Sequence, residues 1–131
     1  MGIQLVITVL FVTTSLSSLA QQKKMASDAK GYLYYYCVKE EFNAIDSNKN
    51  AAYNRDYSGS YFVQMTDLPI QILDSLQSYY KRNIKNYRGV PQENSFDSIA
   101  NMTCWSCWSL CEGKRTQKFI KHITKRSKGG K

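Results

Sequence analysis

Hydrophobic and polar positions divide this 131-residue chain into an uncharged opening and a series of helical stripes. Residues 1–20 carry no charge and hold the apolar run Ile3-Gln4-Leu5-Val6-Ile7-Thr8-Val9-Leu10-Phe11-Val12. Past them there is no alternating pattern of useful length, no Asn-Gly hairpin and no internal repeat, so strands are not predicted. Apolar residues recur instead at three- and four-residue spacings. The first helix is predicted over residues 27–45, capped by Ser27 or Asp28, with Tyr34, Cys37, Val38, Phe42 and Ile45 on one face. Asp46-Ser47-Asn48 ends it. A second helix over residues 49–65 sets Ala52, Gly59, Phe62 and Val63 beside a stripe of Tyr53, Tyr57 and Tyr61. Gly59 lowers its helix propensity by about 1 kcal/mol but lets a neighbouring helix approach closely.

The third helix has the clearest start, Thr66-Asp67-Leu68-Pro69, a capping side chain followed by proline in the first turn. Leu73, Leu76, Tyr80, Ile84 and Tyr87 then form one face, and Arg88-Gly89 stops the helix. Ser95 caps a fourth helix over residues 96–110, which places Cys104, Cys107, Trp108 and Cys111 on one face. Residues 116–124 make a short last helix, and residues 125–131 a basic flexible tail. The fold class expected is a small all-α bundle of four to five helices in a single domain, residues 21–131.

The opening segment sets the compartment. A short apolar run, small residues at Ser18 and Ala20, and an abrupt change to Gln21-Gln22-Lys23-Lys24 read as a signal peptide over residues 1–20, cleaved after Ala20. The run is too short for a comfortable membrane span, and no later segment approaches one. Export to an oxidising compartment turns the four cysteines, Cys37, Cys104, Cys107 and Cys111, into candidate disulfides with three possible pairings. Cys37 on the first helix then pairs with one of the three on the fourth, a long closure that contributes on the order of 4 kcal/mol. Two other readings compete. A metal site would need Cys37 or His122 as its fourth ligand, and Cys104-Trp105-Ser106-Cys107 is formally the Cys-x-x-Cys of a redox dithiol.

Composition adds little chemistry. The chain has one His, ten Tyr, 43% hydrophobic residues and a net charge of +8. No phosphate-binding glycine loop or nucleophile–base spacing is present, and Glu40, Glu41 and Asp97 read as surface carboxylates. No catalytic residue, metal site or cofactor is therefore expected. The basic C-terminal run has the charge to touch nucleic acid or anionic lipid, but reads as a solvated tail. Asn101-Met102-Thr103 is a glycosylation sequon, meaningful in a eukaryotic source.

The order of several features resembles a known family. They are Tyr36-Cys37-Val38, Asp46, Ala51-Ala52, Ser58-Gly59-Ser60-Tyr61, Leu68-Pro69, Tyr87-Arg88-Gly89 and Asn101-Met102-Thr103-Cys104. Over residues 30–110 the chain resembles the Tai family, periplasmic immunity proteins that protect bacteria from type VI secretion amidase effectors. The resemblance implies a small helical homodimer without catalysis of its own, which binds a papain-like peptidoglycan amidase and blocks its substrate groove with a protruding loop. Carried onto this chain, the loop is Arg88, Gly89, Val90, Pro91, Gln92, Glu93, Asn94 and Ser95, with Arg88 and Glu93 for charged contacts. The resemblance also implies a two-cysteine pattern, Cys37 with Cys104. Cys107 and Cys111 are additions to it, available as a second pair. A basic inhibitor of this kind would be steered to an effector with a negative groove. The alternatives are an exported thiol–disulfide oxidoreductase using Cys104 and Cys107, and a secreted helical ligand or carrier.

Overall fold

Among the described residues the protein is an all-α bundle of five helices tied by the Cys37–Cys107 disulfide. The computed structural model describes residues 2–45, 58–88 and 102–127, with side chains in the first stretch from Leu19 onward. Helix α1 (Gly2–Ile45) is followed by α2 (Ser58–Gln64) and α3 (Ile70–Asn83), which tightens into a 3-10 turn (Ile84–Asn86). Helices α4 (Thr103–Glu112) and α5 (Lys114–Arg126) meet at Gly113. No helix among the described residues is long and apolar enough to cross a membrane.

Helix α1 is the spine. It packs against each of α2, α3, α4 and α5, and α5 also meets α3 and α4. Its buried positions are Ala29, Tyr32, Leu33 and Cys37. The expected face is therefore rotated: Cys37 is central, but Tyr34 and Ile45 are exposed. Ser27 and Asp28 do not start the helix, whose backbone runs unbroken through them and across Ala20–Gln21.

Helix α3 matches its pattern closely. Leu73, Leu76, Tyr80 and Ile84 are buried, joined by Leu68, Ile72 and Tyr79. Pro69 stands at its N-cap without a side-chain cap. Thr66, one of the side chains in the expected capping sequence, is spent backwards, its hydroxyl donating to the Phe62 carbonyl at the end of α2. Only part of the second predicted helix is described, and there Gly59 does what its lack of a side chain allows. A Cβ on it would stand 2.8 Å from the Tyr35 ring of α1.

Helix α4 begins at Thr103, since Met102 is not helical; the predicted start at residues 95–101 lies outside the described residues. Its buried stripe is Thr103, Ser106, Cys107, Leu110 and Cys111. Helix α5 is longer than expected. Lys125 and Arg126, assigned above to a flexible tail, are its last turn. Thr116, Ile120 and Thr124 face inward, and the polar atoms among them are satisfied. Thr124 donates to the Ile120 carbonyl at 2.8 Å, and Thr116 shares a 3.1 Å hydrogen bond with Tyr79. The Tyr79 ring stacks on Phe119 at 4.3 Å between centroids. Among the described residues no buried side-chain nitrogen or oxygen is left without a partner, the condition under which polar groups are tolerated in so small a core.

Candidate functional site

Two anchors on α1, one helical turn apart, define the most built part of the surface. The first is covalent. Cys37 is joined to Cys107, with both residues fully buried. This corrects the Cys37–Cys104 pairing and the second Cys107–Cys111 pair: Cys104 is an exposed free thiol and Cys111 a buried one. At about 100° per residue, Cys104 is rotated just beyond the edge of the stripe that Thr103, Cys107 and Leu110 share, so it faces outward. The dithiol reading needs Cys104 and Cys107 as partners, whereas the partner of Cys107 is Cys37.

The second anchor is ionic. Glu41, four residues after Cys37, lies on the same side of the helix. Its two carboxylate oxygens accept from Arg88 Nε at 3.2 Å and Nη2 at 3.0 Å, the forked geometry that fixes orientation as well as charge. One of them also accepts from the Tyr80 hydroxyl at 2.8 Å. The Glu41 side chain is only 11% exposed, against 57% for Arg88. It is thus a structural carboxylate rather than the solvated one that sequence suggests. Burial, then the hydrogen bond to Glu41, pushes the Tyr80 hydroxyl well above the usual tyrosine range. The same carboxylate raises the Arg88 guanidinium. Tyr80 is further held edge-on to Tyr36, 5.4 Å between centroids.

Of the proposed partner loop, only Arg88 is among the described residues. Gly89, Val90, Pro91, Gln92, Glu93, Asn94 and Ser95 lie outside them, as do Tyr53, Tyr57 and Asn101. What the structure does fix is the stub on each side. Arg88 enters the segment clamped to Glu41, and Cys107, on the second turn of α4, leaves it bonded to Cys37. Tyr87 adds a contact, its hydroxyl filling the space over Gly113 where a Cβ would come within 2.8 Å. The role of Glu41 is what sequence reading missed; its helical spacing from Cys37 placed it on this side of α1 but did not point to Arg88.

A second feature is an aromatic cleft of about 770 Å³ between α1 and α2, lined by Tyr34, Tyr35, Tyr61 and Phe62 with Gly31 at its base. The close approach needs that glycine, since a Cβ there would meet the Phe62 ring at 3.0 Å. Of the predicted tyrosine stripe, Tyr61 is present here and 55% exposed. Trp105 and Trp108 are also outward, 51% and 55% exposed. Burial, followed by the nearby Cys104 thiol, raises the Tyr34 pKa. Among the described residues no cluster of His, Cys, Asp and Glu is placed to hold a metal ion.

The chain matches no family model, no curated protein and no solved structure. The functional reading therefore rests on the anchors, the exposed aromatic groups and the order of residues along the chain. Large aromatic side chains at the surface and a segment rooted at both ends are what a protein-binding surface is made from.

Proposed function

We propose that this protein is an exported immunity protein, a disulfide-stapled binding module that inhibits a papain-like peptidoglycan amidase in the periplasm by occluding its substrate groove. The observation that supports it most is the pair of anchors on α1. The chain segment following Arg88 departs from Glu41 and returns, through α4, to Cys37 one turn away. A segment rooted twice on one rigid helix loses less freedom on binding than a free one, which is how inhibitory loops gain affinity. Arg88 acts as its clamp, and Val90, Pro91 and Glu93 are the contacts offered to the enzyme. The aromatic cleft and Tyr61 supply a further contact, either to the amidase or to the second subunit of a homodimer.

The test is inhibition of a papain-like amidase encoded beside this gene. Wild-type protein at equimolar ratio is expected to stop amide hydrolysis in purified peptidoglycan. Val90→Asp and Glu93→Lys, both outside the anchors, are expected to release the activity while keeping the wild-type urea midpoint. An amidase that stays active in excess inhibitor, or one blocked equally by both variants, overturns the reading.

A further inference from the structure

We propose that the groove between α5 and the segment 19–26 of α1 docks the protein on anionic phospholipid headgroups at a membrane surface. The groove, of about 400 Å³, has an apolar floor including Leu19 and Ala26, and a rim of Lys23, Lys118, Lys121 and Lys125. All four lysines are exposed. They are not a fraying tail, because α5 is pinned to the bundle by the buried Thr116, Ile120 and Thr124, the last of which also lines the groove. Helix α5 holds no Asp or Glu. The ion pairs among the described residues are Lys24–Asp28, Lys30–Glu112 and Arg88–Glu41, none of which neutralises the rim.

Lysine stems around an apolar floor match the boundary between headgroups and acyl chains, where the hydrocarbon part of the side chain is buried and the ammonium meets phosphate. A nucleic-acid groove has no use for such a floor. The position agrees: the groove opens where the uncharged start of the chain gives way to Gln21-Gln22-Lys23-Lys24 on one continuous helix. Removal of the leader would take Leu19 from the floor and leave Ala26 and all four lysines, which lie beyond Ala20. This surface is separate from Arg88 and the aromatic cleft and does not rest on the proposed function.

Vesicle flotation of the full, oxidised chain provides the test. Binding to phosphatidylcholine vesicles containing phosphatidylglycerol is expected to exceed binding to pure phosphatidylcholine at least about tenfold and to fall with salt. Each surface lysine contributes about fivefold, so losing three is worth on the order of a hundredfold, and Lys118→Glu, Lys121→Glu and Lys125→Glu together should lower binding by at least that much. The matching glutamine triple should lie between the two. A charge-matched control, Lys81→Glu, Arg82→Glu and Lys85→Glu, lines no part of the groove and should retain most of the binding. Equal binding to both vesicles, or an equal loss in the control, overturns the proposal. So does duplex DNA that binds with the same lysine dependence while vesicles do not. Amidase inhibition by the groove variants is scored separately, so the two readings fail independently.

Discussion

Removing the covalent anchor should cost the fold a large fraction of its stability. The perturbation is the double replacement Cys37→Ala and Cys107→Ala, since a single change would leave a cysteine free to pair with Cys104 or Cys111. The two residues are 70 apart in sequence. In the chain-entropy model, a closed loop of that size removes denatured-state freedom equivalent to about 4 kcal/mol at 25 °C. Small domains have only about 5–15 kcal/mol in total, so the loss is a large fraction. With a urea slope of about 1.5 kcal/mol per molar, typical for a chain this size, the unfolding midpoint should fall by nearly ~3 M. Urea titration by circular dichroism, with the wild type oxidised and then reduced, reads this directly. A double variant within about 0.5 M of wild type would show that the crosslink does not limit the unfolded chain. Non-reducing peptide mapping that found Cys37 bound to Cys104 would refute the pairing itself.

Three further outcomes follow from the described geometry. Native protein should expose one thiol to a disulfide reagent, Cys104, and a second, Cys111, only on unfolding, because Cys111 is buried and its pKa is pushed up to about 12 by burial; two fast thiols in the native state would contradict this burial. Stability should fall as pH rises above about 9, since the unfolded chain there releases protons that the fold retains. Cys111, Tyr32, Tyr36 and Tyr80 all have raised pKa values, chiefly through burial, so their stabilising effect is complete below the unfolded values and lost through the folded ones. Urea midpoints between pH 8 and 11 check the sign, and a rising midpoint would refute it. Glu41→Gln should lower the Tyr80 pKa towards its ordinary value in an ultraviolet tyrosinate titration, as the charge holding the proton disappears. It should cost about 1 kcal/mol or less in stability, the range for an ion pair with one exposed partner; an unchanged tyrosine titration would mean that Glu41 does not govern Tyr80.

Helix α3 was legible in the sequence because one side of it alone is buried, and Leu73, Leu76, Tyr80 and Ile84 stand at the spacing that such burial selects. Helix α1 was legible as a helix but not in its orientation. It is contacted by four others, so apolar residues lie around much of its circumference and no single stripe marks the inside. The same ambiguity affects α4. Trp105 and Trp108 point outward among residues as apolar as those within, so spacing alone did not mark the rotation that exposes Cys104. The disulfide partner was therefore chosen by likeness of pattern, and the geometry chose its neighbour. At the candidate site, Arg88 was identified while its tie to Glu41 was not, because an ion pair between residues so distant in the chain leaves no local pattern.

The position of α1 has a consequence for synthesis. Each helix that α1 packs against follows it in the chain and is made after it. Tyr32 and Leu33 have no completed core around them until Leu110 and Ile120 have emerged. A nascent chain ending before α4 therefore lacks the elements that cover its first helix, and also the cysteine that its own thiol requires. Folding must wait for α4 and α5, so collapse of the earlier helices on their own is suppressed and oxidation seals a structure assembled only once those two have been made. Release of ribosome-bound chains of increasing length should show protease resistance arising only once α5 is clear of the exit tunnel.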